Sequence, residues 1–160
     1  MKNLKTYDEF LNESVKSGKN AKGIPNKLYH GTPFDFKTFS GDFLGVNTKH
    51  VVDDVGFHFS DLRSYAESYS KNHDRKSAEA YKYMIGEYPK DYKPFEPYMF
   101  TVKLSINNPH YVKISKDIHA ETMAYAKANG YDAIIAINKG AERTMGREYV
   151  VFDVDQIKIL

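Results

Sequence analysis

Apolar residues recur at every second position over residues 98–106, where Tyr98, Phe100, Val102, Leu104 and Ile106 fall on one face. That period predicts a strand with one buried side, ended by Asn107, Asn108 and Pro109. A second alternation opens at Glu148 and continues through Val150 and Phe152, so a carboxylate stands at the mouth of an apolar strand face. A charge in that setting either reaches water at the strand end or has a partner or a task. Residues 27–32 give a shorter strand with Leu28 and His30 on one side, running into a Gly31, Thr32, Pro33 turn. Residues 55–60 divide differently. Phe57 and Phe59 face a core, while Gly56, His58 and Ser60 line a small polar face, as a cleft wall would. The apolar run at 132–137 reads as a buried strand, 111–114 as an edge segment and 156–160 as the last strand.

Between these strands the period changes to that of helices. Ser60 stands where it would cap a helix starting at Asp61, in which Leu62, Tyr65, Ala66 and Tyr69 fall on one continuous face. On spacing alone, Tyr69 belongs to the core. A second helix is predicted from Ser115 to about Asn129, with Ile118, Thr122, Tyr125 and Ala126 inward and Gly130 as its stop. Residues 40–54 and 139–146 read as loops, and 71–97, with Pro89, Pro94 and Pro97, as a short helix near 78–85 followed by an irregular excursion. Residues 6–16 read as an amphipathic helix opened by a Thr6 to Glu9 capping box, and residues 17–26 have the polar, glycine-containing composition of a linker. The expectation is an α+β domain over residues 27–160, without regular βαβ repetition, preceded by a detached segment over residues 1–16.

Composition narrows the chemistry. With 23 basic and 21 acidic residues, the chain has no global field that marks a nucleic-acid or membrane binder. It holds no cysteine, which excludes a thiol nucleophile, a thiolate metal site and disulfides. The six histidines are scattered without the paired spacing of a metal hydrolase, so no metal is expected. The adjacent Asp53 and Asp54 lack the spaced partners of a cation site. No apolar run is long enough to span a membrane and residues 1–17 lack the apolar core of a secretory signal, so no membrane partner is expected.

Three dispersed pieces resemble one family when taken together: His30, Gly31 and Thr32; the Gly56 strand running into the helix of Tyr69; and Glu148, Tyr149, Val150, Val151, Phe152 and Asp153, followed by Gln156 and Ile157. They resemble an ADP-ribosyltransferase of the His-Tyr-Glu branch, shared by diphtheria-type toxins, poly(ADP-ribose) polymerases and compact phage enzymes. The last piece matches an Asn-Glu-Tyr-Ile-Val-Tyr-Asp pattern and is the most specific. The resemblance implies a compact fold of mixed, mainly antiparallel sheets with a few flanking helices, and NAD as substrate. It implies Glu148 as the catalytic carboxylate on the nicotinamide ribose, and His30, grouped with it as catalytic, as a contact to the adenosine ribose. Gly31, next to Thr32, would hold the nicotinamide carboxamide through its backbone. Tyr69 would stack on the nicotinamide ring and Ser60 would touch the nearby ribose.

Two positions depart from the family pattern. His58 stands where the His-Tyr-Glu pattern has tyrosine, and is expected to cover the nicotinamide side of the pocket. Gly146 stands two residues before Glu148, where arginine-directed transferases carry an acid or glutamine, so the acceptor stays open among protein, nucleic acid and water. The first residues, with Thr6, Tyr7, Phe10, Leu11 and Glu13, resemble the leader of internal head proteins of T4-like phages. That resemblance implies prohead packaging through residues 1–13, cleavage by the maturation protease after Glu13, and delivery from the virion interior into the host bacterial cytoplasm, where a host macromolecule would be the acceptor. An NAD glycohydrolase and an inactive NAD-binding or structural head protein are the competing readings.

Overall fold

The computed structural model describes residues 23–32, 36–44, 56–71, 98–115 and 118–160. The sequence readings of the leader helix, Glu13, most of the linker, Asp53 with Asp54, and the 78–85 helix lie outside the described residues. The strands are β1 (Leu28–Thr32), β2 (Phe57–Ser60), β3 (Tyr98–Leu104), β4 (Pro109–Ile114), β5 (Ala133–Asn138), β6 (Arg147–Val151) and β7 (Ile157–Ile159). They form one seven-stranded sheet in the order β4-β5-β6-β2-β1-β3-β7. Every neighbouring pair is antiparallel except β4 with β5. The helices among the described residues are α1 (Arg63–Lys71), α2 (Ala120–Ala128) and the short α3 (Glu142–Met145), with 3-10 turns at Gly41–Phe43 and Val154–Gln156. Because α2 lies between β4 and β5 in the chain and those strands are parallel, the fold contains one βαβ crossover within a largely antiparallel sheet. The α+β class expected from the strand and helix pattern is the class observed.

Strand alternation gives the sheet two different faces. Leu28, Phe57, Phe59, Val102, Leu104, Ile135, Tyr149 and Val151 share the first and form one apolar cluster with Phe39 and Phe100 packed against it. Ile24, within the stretch read from composition as linker, is buried in this cluster at 1% exposure. The second face carries Ile114, Ile134, Ala136 and Val150, covered by Met123 and Ala126 of α2. At that contact Gly56 is needed for packing, since a Cβ there would lie 2.5 Å from Val150 Cγ1 and 3.2 Å from Met123 Cε.

Two helix readings are corrected. The second helix begins at Ala120 rather than Ser115, with His119 at its N-cap and no side-chain cap bond. Its buried residues are therefore Met123 and Ala126, and Tyr125, expected inward, is 52% exposed. Its end is as expected: Gly130 has a φ of 72° and Tyr131 N–H donates to Ala126 O at 3.0 Å. The 139–146 stretch, read as loop, includes α3. No helix among the described residues is long and apolar enough to cross a membrane.

Candidate active site

The carboxylate that opens β6 lies on the second face. Antiparallel register sets Ser60 of β2 opposite Glu148 and His58 opposite Val150, while Ala136 of β5 flanks Glu148 on its other side. Directly opposite residues share a face, so Glu148, His58 and Ser60 converge by backbone geometry alone. Helix α2 covers this face over β5 and β6, and α1 covers it over β1. By strand order the three polar residues occupy the strip between those contacts. His58 Nδ1 is 2.5 Å from Glu148 Oε1, with each side chain about one-fifth exposed at 21%. A carboxylate only accepts, so in the neutral ring Nδ1 carries the proton and Nε2 the lone pair. His58, expected to wall the nicotinamide pocket, is thus a direct partner of the catalytic candidate.

Ser60 is 3% exposed, and its hydroxyl accepts Leu62 N–H at 3.0 Å while lying 3.5 Å from Met145 O. The helix after it starts at Arg63, two residues later than Ser60 capping predicts, and has no acidic residue in its first turn. Asp61 is engaged elsewhere. Its carboxylate accepts Arg147 N–H at 2.8 Å and its own N–H donates to Arg147 O at 3.3 Å, tying the end of β2 to the start of β6. Gly146 completes that joint with a φ of 64°, and a Cβ there would lie 2.8 Å from Leu62 Cβ and nearer still to Asp61 Oδ1. Both backbone conformation and space require glycine at this position. No acid could occupy the place two residues before Glu148 without breaking the joint that positions it.

On β1 the site residues split between the faces. Gly31 lies on the Glu148 face, where a Cβ would meet the backbone of Ala66, its carbonyl carbon at 2.7 Å, and Ser70 N at 3.1 Å. The close approach that this glycine permits is that of α1. Among the described residues β1 and β2 are in register at one pair, Tyr29 with Ser60, so Gly31 lies beyond their ladder. His30 and Thr32 face the other way. The His30 ring sits 5.2 Å from Phe39 and 5.6 Å from Phe59, and its Nδ1–H donates to His58 O at 2.9 Å. Burial, outweighing the backbone hydrogen bond, lowers its pKa to about 4, so the ring is neutral. His30 therefore braces β2 at the residue whose side chain holds Glu148.

Tyr69 is corrected from core to surface. It is 39% exposed, with its hydroxyl 2.9 Å from that of Tyr65 and the two rings edge to face at 5.4 Å. The stripe of α1 that meets β1 is Ala66 and Ser70, so Tyr65 and Tyr69 fall on its flank.

Asn138 went unnoticed in the sequence. It ends β5 on the same face as Ala136 and Glu148, is 2% exposed, and neither its Nδ2 nor its Oδ1 has a hydrogen-bond partner among the described residues. The only sequence signal is an amide closing an otherwise apolar strand.

Residues 20–160 match the family described as ADP-ribosyltransferase in polyvalent proteins. No curated protein matches the chain.

Proposed function

The chain belongs to the ADP-ribosyltransferase family, whose domains use NAD as substrate, and from that premise we propose that it is a mono-ADP-ribosyltransferase of the His-Tyr-Glu branch with Glu148 as its catalytic carboxylate. The observation that carries this reading is the convergence of Glu148, His58 and Ser60 on one strip of the sheet. As nicotinamide leaves, the ribose carbon gains positive charge. Glu148 places a negative charge beside it and accepts a hydrogen bond from the neighbouring 2′-hydroxyl, an interaction that strengthens in the transition state. Gly31, beyond the β1–β2 ladder, offers its backbone to the nicotinamide carboxamide, and the exposed Tyr69 ring offers a face for the cationic pyridinium. Ser60 stands across from Glu148, where it can touch the same ribose. The adenosine-ribose contact that the family pattern gives to His30 has less geometric support than its bond to His58 O, which makes it a brace for β2.

The biological setting we propose rests on the leader. Residues 1–13 direct the protein into a phage prohead, the maturation protease cuts after Glu13, and the enzyme is delivered with the genome to modify a host macromolecule. Mass spectrometry of mature virions is expected to find a chain starting at Ser14, and a chain starting at Met1, or none, removes this part.

The catalytic reading is tested by nicotinamide release from NAD, with the wild type and Glu148→Gln, in the presence and absence of bacterial lysate. Release that depends on Glu148, rises with lysate and passes label to macromolecules is the expected result. Glu148-dependent release without label transfer makes the protein a glycohydrolase, and no release from the folded protein makes it a binding or structural member of the family.

A further inference from the structure

We propose that the corner of the first sheet face formed by Tyr111, Lys113 and Arg147 is a docking surface for single-stranded nucleic acid, separate from the Glu148 strip and independent of the transferase reading. The register of three strands builds it. Lys113 of β4 lies opposite Ile137 of β5, and Ile137 lies opposite Arg147 of β6, so the three share one row across the sheet. Two strand spacings put the two cationic residues about 10 Å apart. Tyr111, Ile135 and Tyr149 form the neighbouring row in the same way, which sets Tyr111 beside Lys113 on one face. Ile135 and Tyr149 belong to the apolar cluster of the first face, so this corner lies on the side of the sheet away from Glu148. Tyr111 is 54% exposed, Lys113 and Arg147 are exposed, and Ile137 is half-buried. The core therefore stops at Ile135 and Tyr149. Beyond it, β4 is the edge strand, with no further strand of the sheet outside it.

Charge at this corner is unbalanced, although the chain as a whole is close to neutral. The segment joining β5 to β6 adds exposed Lys139 and Arg143 at the same end of the strands. The acids there are Glu142, in that segment, and Asp61, whose carboxylate accepts the Arg147 backbone N–H at 2.8 Å. Among the described residues none of the four basic side chains is in an ion pair. At their opposite ends β5 and β6 are flanked by acids, and these are engaged locally. Asp132 accepts the N–H groups of Asn107 and Asn108 at 2.6 and 2.8 Å, and Asp153 accepts that of Asp155 at 3.0 Å. Cations set along a surface neutralise successive phosphates, and an exposed aromatic ring among them offers a face on which an unpaired base stacks. That combination favours a single strand over a duplex, whose bases are stacked on one another, and over a simple polyanion, which has no ring to place on Tyr111. Because the Glu148 side chain is on the other face, the strand is anchored behind the cleft and not in it.

The test is fluorescence anisotropy of dye-labelled oligothymidylate and oligouridylate of about 16 nucleotides, titrated with the full chain over a range of salt concentrations, with heparin as a competitor. Wild type is compared with Tyr111→Ala and with Lys113→Gln combined with Arg147→Gln, and thermal unfolding checks that each is folded. The double variant is expected to lower the slope of log affinity against log salt by about 1.4, the contribution of two phosphates on a single strand. Tyr111→Ala is expected to weaken binding about 10-fold through the lost stack. If the double variant does not fold, Lys113→Gln alone decides, with an expected fall in slope of about 0.7. A wild type that binds neither strand at low salt, or variants that bind as tightly as wild type, overturns the proposal. Tyr111→Ala without effect, with heparin bound as well as the oligonucleotides, would make the corner a plain anion patch and overturn it too. Calorimetry with NAD supplies the last outcome: a loss of NAD affinity in the lysine and arginine variants, in place of a loss of oligonucleotide affinity, would assign these cations to the NAD pyrophosphate and overturn the proposal.

Discussion

Two histidines stand on opposite faces of one sheet and have opposite fates. His30 points into the phenylalanine-rich first face, is held neutral by burial, and bonds across to the backbone of β2. His58, one strand away, points into the strip between α1 and α2 and meets a carboxylate. The same side chain braces a backbone carbonyl in one environment and meets a carboxylate in the other. What separates them is strand parity, since a one-residue difference in register would exchange the faces.

The sharpest way to break this comparison is at the carboxylate. Glu148→Gln is expected to reduce the rate constant of nicotinamide release by about 10²- to 10³-fold, with little change in the affinity for NAD measured by calorimetry. A comparable loss of affinity would mean that Glu148 binds the ground state rather than the transition state.

Next in size is the contact that lets α1 lie over β1. Gly31→Ala puts a methyl group where the Ala66 backbone stands, and is expected to lower stability by about 1–3 kcal/mol in denaturant unfolding. Unchanged stability would show that α1 can move away from β1.

The part-buried brace at His30 has a pH signature. The folded pKa of His30 lies near 4 and the ordinary value is 6.5, so between them the unfolded chain binds the proton more readily than the folded one. Stability is expected to fall by about 2 kcal/mol as pH drops from above the ordinary value to below the folded one. The partly exposed ring keeps this below the full shift. His30→Phe should flatten that part of the profile, and a wild-type profile already flat there would place His30 in water.

The smallest expected effect is at Asn138. Its buried amide has no hydrogen-bond partner among the described residues, a costly arrangement, so Asn138→Leu is expected to raise stability by about 1 kcal/mol. A simultaneous loss of transfer activity would make Asn138 a polar contact of the cleft, and a loss of stability would show that the amide is paired within the protein.

Much of the fold was legible from local pattern. The alternations at 98–106 and 148–152, the split of residues 56–60 into two faces and the stop at Gly130 all correspond to observed structure. Helix starts were less legible. Ser60 and Ser115 both look like caps, but Ser60 still pairs with Glu148 and Asp61 is drawn across to Arg147, so α1 begins only at Arg63. Tyr69 shows the same limit, because helical spacing says which residues share a face and cannot say which part of that face meets the sheet.

By itself the sequence determined most of the strands with their inner and outer residues, and the motif set that marks an ADP-ribosyltransferase, although Gly31 and Thr32, read as a turn, are paired within β1 and Pro109, read as a strand end, opens β4. These follow from residue order and side-chain period, which are local properties. Tertiary structure alone decided that His58 would hold Glu148, that His30 would sit behind it, that α1 would require glycine at position 31, and that Asn138 would be buried with no hydrogen-bond partner among the described residues. Each of these depends on register between strands distant in the chain, or on where a helix lands on the sheet. Such contacts bring together residues as far apart as positions 58 and 148, and no local period encodes them.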